Sequence, residues 1–163
     1  MRTIVLESLA EYPGMQIETA VNAAARQLVK VESGEGVLTT IWHTYGIIER
    51  YLPSVVPAMR AARQQHGEVS FRALNDVQVP VALISMLLLP VILLAGRGEY
   101  SDLRLLAATV IVALLANAVV CGVLSNPHDR YGARLAWIAT FAVALVPMRY
   151  AVTRPSATAT AEA

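Results

Sequence analysis

The stretch Val77–Ala95 reads VQVPVALISMLLLPVILLA and holds no charged residue in 19 positions. At about 1.5 Å per residue it makes roughly 28 Å of helix, close to the hydrocarbon thickness of a bilayer. Pro80 and Pro90 would break a water-soluble helix. A membrane span tolerates them, because neighbouring helices and side chains satisfy the freed backbone groups, and Pro90 is expected to kink the span.

Working towards the C-terminus, Gly96–Asp102 is a short polar turn. Leu103–Leu124 is a second candidate span, with Arg104 near its end, where a long cationic side chain can reach the headgroups. Ser125–Arg130, SNPHDR, forms the next loop. A third span is expected over Tyr131–Tyr150, with Arg134 and Arg149 near its ends and Tyr131, Trp137 and Tyr150 placed as an interfacial aromatic belt. The Ala/Thr-rich tail, 151–163, reads as disordered.

Composition agrees with that reading. The chain is 56% hydrophobic and only 15% charged, whereas a soluble domain is usually about a quarter charged. Eight of the twelve acidic residues lie in 1–76, and between Val77 and Leu124 the charges are Arg97, Glu99, Asp102 and Arg104, in one cluster. A net charge of +1 supplies no basic field for nucleic acid. The single cysteine, Cys121, excludes an intramolecular disulfide and a cysteine-based metal centre. His43, His66 and His128 match no ligand spacing, so neither a metal nor a cofactor is expected.

Residues 1–76 have a different texture and are expected to form a helical extramembrane or interfacial region. Pro13-Gly14 opens an amphipathic pattern, with Ile17, Val21, Leu28 and Val31 on one face and Gln16, Asn22, Arg26 and Lys30 on the other. Ser33–Gly36 ends it; Gly34-Glu35-Gly36 is too short to carry a reading of its own. Val37–Tyr51 and Ser54–Gln65 are further helical candidates, and Ser70 can cap a segment leading into the first span. The fold class is therefore all-α: helices over 1–76, then a three-helix membrane region over 77–150, with spans at 77–95, 103–124 and 131–150.

Two constellations carry the candidate chemistry. In Asn126–Tyr131, His128 and Asp129 can handle protons, and Arg130 and Arg134, four residues apart, share a helix face suited to an anion. The bland alternative makes Asp129 a helix cap and the arginines headgroup anchors. The second constellation is the row Thr109, Ala113, Asn117, Cys121 and Ser125, which lets helices approach closely and hydrogen-bond across an interface; Ala136, Thr140 and Ala144 repeat it on the third span. An enzyme would bring the loop's charges together with His43 or Tyr45 in one cleft, whereas a scaffold would turn them to headgroups. A transporter would place ionisable groups inside its spans, and these spans have none there.

The segments Trp42-His43-Thr44-Tyr45-Gly46, Ala62–Glu68 and Leu124–Arg134 resemble the C-terminal third of a group of uncharacterised multi-spanning bacterial inner-membrane proteins. The resemblance implies no defined activity. It implies a membrane-embedded C-terminal part of a larger protein, whose partners are the bilayer and other transmembrane helices. Membrane glycosyltransferases that use lipid-linked sugars share the general layout, but their acidic catalytic motif has no counterpart here.

Overall fold

In the computed structural model, residues 2–37, 42–96 and 98–153 are described. Seven α-helices form among them: α1 (Arg2–Glu11), α2 (Pro13–Val29), α3 (Trp42–Tyr51), α4 (Val56–Arg60), α5 (Arg72–Ala95), α6 (Ser101–Leu124) and α7 (Asp129–Thr153). No strand forms among the described residues. The chain is all-α, and α5, α6 and α7 are long and apolar enough to cross a membrane.

These three helices pack on one another by a small-residue seam. On α6 the buried row is Leu103, Ala107, Val110, Leu114, Ala118 and Gly122, at steps of four with a single step of three. Leu89 of α5 and Ala139 and Ala142 of α7 close around it. Large apolar side chains remain outside: Leu87 is 74% exposed, Leu105 71% and Leu124 80%. Outward leucines are what lipid solvates, while alanine and glycine inside let the backbones come close enough for dispersion to hold them. Arg149 Nε donates to Asp102 Oδ2 at 2.9 Å, and Tyr100 stacks on Tyr150, so one end of the bundle is tied from α6 to α7.

α5 starts at Arg72, so the lead-in segment runs straight into the first span as expected, and the helix is unbroken through Pro80 and Pro90. Ser70 Oγ does accept from the Arg72 N–H, at 3.4 Å. The Ser54–Gln65 candidate reduces to a 3₁₀ turn at Pro53–Val55, the short α4 and a run of turns. The Val37–Tyr51 candidate forms from Trp42 as α3; residues 38–41, and the side chains of Trp42 and His43, lie outside the described residues, as does the tail from 154.

The amphipathic helix forms as α2, Pro13–Val29. α2 packs along α6, with Ala23 and Gln27 against Gly122, and its buried and half-buried residues are Gln16, Ala20, Ala23, Ala24, Gln27 and Leu28. Ile17 and Val21, on the apolar face of the pattern, are 65% and 61% exposed. Gly122 explains the choice of face: a Cβ there would lie 2.7 Å from the Ala23 carbonyl oxygen, so the two backbones meet at that glycine. The small face of α2 fits this contact, and its larger apolar residues turn outward.

Candidate functional site

After α2 the chain leaves helical geometry and runs as a strap, residues 30–36, across the other end of the bundle. Val31 is fully buried against Ala82 of α5 and Ala136 of α7. The Lys30 carbonyl lies directly over Gly132, in space that any side chain at that position would fill. Irregular backbone beside membrane spans is sustainable only where protein groups satisfy its N–H and C=O groups. Polar side chains of α5, α6–α7 and the strap itself do this one by one.

Gln78 donates to the Val31 carbonyl at 3.1 Å and accepts from Ser33 Oγ at 2.9 Å. Asn75 accepts from the Ser33 N–H at 2.8 Å and returns its own amide to the Ser33 carbonyl at 3.0 Å. Asp129 takes the Glu32 N–H on one oxygen, at 3.1 Å, and the Lys30 ammonium on the other, at 3.0 Å. Gln27, 1% exposed, clasps the backbone of His128: its amide donates to the carbonyl at 3.0 Å, and its oxygen accepts the N–H at 2.9 Å.

Glu35 completes the network. One oxygen lies 2.6 Å from His128 Nδ1, and the other accepts the Arg130 N–H at 2.8 Å. The first turn of α7 is thus capped by a carboxylate from 95 residues earlier, where the helix dipole favours negative charge. Burial pushes the Glu35 carboxyl up. The Arg130 N–H, the His128 hydrogen bond and the charges of His128 and Lys30 together outweigh it and hold Glu35 below its ordinary value of 4.5. The Asp129 hydrogen bond, and then the Asp129 charge, raise Lys30 above its ordinary 10.5.

The residues singled out from sequence separate into two groups. His128 and Asp129 face the strap, and Asp129 caps the strap rather than its own helix. Arg130 turns its guanidinium over Tyr131, 5.0 Å from the ring centroid, and donates to the Tyr131 hydroxyl at 3.2 Å. Arg134 is exposed, and no carboxylate pairs with it among the described residues. Tyr45 is not brought to the loop: its hydroxyl donates to Gln65 at 2.7 Å. On α6, Asn117 and Cys121 are half-buried and bonded to each other, Sγ to Oδ1 at 3.4 Å, while Thr109 and Ala113 are exposed, beside the row that faces α5 and α7.

Gln27, Glu35, Asn75 and Gln78 were missed as network members. Two of them carried a usable signal: Asn75 and Gln78, three apart, are amides on one face of the first turns of α5, just before its uncharged run. Glu35 carried none, because its role depends on a contact 95 residues away. Among the described residues no group of histidine, cysteine and carboxylate side chains is arranged to hold a metal. No protein-family model matches this chain, and no similar curated protein or solved structure emerged from the comparisons.

Proposed function

We propose that this chain is a non-catalytic, membrane-embedded part of a larger protein or assembly, multi-pass in a bacterial inner membrane, with three spans and a strap that locks one end of them. One observation carries the reading: His128 and Asp129, the proton-handling candidates of the polar loop, are engaged by the chain's own strap. Asp129 is filled by Lys30 and the Glu32 N–H, and His128 is bonded to Glu35. General acid–base chemistry needs such a group within reach of a substrate proton, and here both are turned towards the strap. The outward faces of the spans supply what an assembly uses: Thr109, Ala113 and Ala116 are exposed on α6, a small-residue surface on which another helix can lie closely.

The test is the size of the particle in native membranes solubilised gently. The reading expects a complex larger than the single chain, and Thr109→Phe with Ala113→Phe should release the chain from it without loss of folding. A wild-type chain that runs alone under conditions that keep known membrane complexes intact would overturn the reading.

A further inference from the structure

Between α5 and α7 runs an open groove of about 500 Å³, lined at one end by Ser33 and Gln78 and along the rest by Ala82, Ala136, Trp137 and Phe141, among others. Its size is that of a small-molecule site, but it opens sideways, between two helices long and apolar enough to cross a bilayer. Arg134, Trp137 and Phe141 follow at i, i+3 and i+7, so they share one face of α7 with the arginine on the side of the polar end. Trp137 Nε1 donates to the Arg134 carbonyl at 2.8 Å, and the Trp137 ring packs edge-on against Phe141 with centroids 6.4 Å apart. The groove is polar at one end and apolar beyond it, and Arg134 precedes its Trp137 by three residues on the same face of α7.

The neighbouring charges do not compete for the same ligand. Lys30 is held by Asp129, and the first turn of α7 is already capped by Glu35. Arg130 is turned onto Tyr131. Arg134 is left exposed, one turn of α7 before the groove's Trp137. We propose that the α5–α7 groove binds an anionic phospholipid, with one acyl chain along Trp137 and Phe141 and the headgroup phosphate on Arg134. The charge selects the lipid class, and a guanidinium suits a phosphate because its fork can donate two parallel hydrogen bonds. A zwitterionic lipid offers the same chain, but its headgroup amine offsets the phosphate. The proposal rests on the reading of α5 and α7 as membrane spans.

The experiment uses the full chain with Trp42→Phe, which leaves Trp137 as the one tryptophan, reconstituted into phosphatidylcholine vesicles. Tryptophan quenching is compared between brominated phosphatidylglycerol and brominated phosphatidylcholine, each added at the same minor fraction. Quenching by both lipids reports that Trp137 lies in the bilayer, which tests the span reading by itself. The anionic lipid is expected to compete for the site about fivefold better, the factor that one basic residue near an anionic surface contributes. Arg134→Gln should bring the two lipids to parity, and Arg130→Gln should leave the preference intact. Thr140→Leu, which fills the groove and keeps the arginine, should abolish the preference as well. Added inorganic phosphate should not relieve it. Parity in the Trp42→Phe protein, a preference that survives Arg134→Gln or Thr140→Leu, or relief by inorganic phosphate alone would overturn the proposal.

Discussion

Gln27 is a single amide that holds both backbone groups of His128 from a fully enclosed position. Gln27→Leu keeps the volume and removes both hydrogen bonds, leaving a paired donor and acceptor without partners. A loss of about 2 kcal/mol is expected, at the scale of leaving a buried polar group unsatisfied. Equilibrium unfolding in mixed micelles measures it, and a variant as stable as wild type would show that water replaces the amide. Glu35→Gln tests the remote cap. Because the Glu35 pKa is lowered in the folded protein, its charge contributes stability above the ordinary value of 4.5 and loses it as pH falls through the lowered folded value. The variant should therefore be less stable than wild type by about 1 kcal/mol near neutral pH, a figure discounted for partial exposure. The difference should close on acidification below the ordinary glutamate range, as followed by thermal unfolding against pH. At this scale the sequence was only partly legible. His128 and Asp129 stood out as the densest polar cluster, but nothing local to them names Lys30, Glu35 or Gln27 as partners. A hydrogen bond across about a hundred residues is set by how helices dock, not by spacing along the chain.

The helices themselves were legible because the signal is one of length and hydropathy, which packing cannot override: α5, α6 and α7 each carry it without help from neighbours. The face that each helix buries was not. The apolar face of α2 was read from its periodicity, but periodicity did not say which face would meet α6. Against a membrane bundle the driving force differs from that in water, and closeness of backbones decides, so Ala20, Ala23 and Ala24 go in while Ile17 and Val21 stay out. The same logic places Ala107, Ala118 and Gly122 of α6 inward and leaves Asn117 beside the seam. Two substitutions separate these roles. Gly132→Leu puts a side chain where the Lys30 carbonyl lies and should expel the strap, seen as new protease cleavage within residues 30–36. Asn117→Leu loses a weak bond from Cys121 and should change stability by about 0.6 kcal/mol, the mean for polar contacts in lipid. Strap protection unchanged in the first variant, or a collapse of the fold in the second, would contradict this placement.

For the whole molecule, the account is of three helices crossing a bilayer, closed at one end by Arg149–Asp102 and at the other by the strap and its polar partners. Buried positions cannot test that, since a soluble bundle would hide them too. Leu87, Val112 and Phe141 can, because they are 74%, 65% and 52% exposed on the protein itself, and lipid or a partner helix within it has to cover them. The measurement is labelling of a single cysteine at each of these sites, in a Cys121→Ala background, by a water-soluble maleimide on intact membranes. Ser125, exposed beyond the end of α6, is the control. The account expects Leu87→Cys, Val112→Cys and Phe141→Cys to stay unlabelled until the membrane is dissolved, and Ser125→Cys to label once the reagent reaches its side. Rapid labelling of any of the three in intact membranes, at the rate of Ser125→Cys, would contradict it.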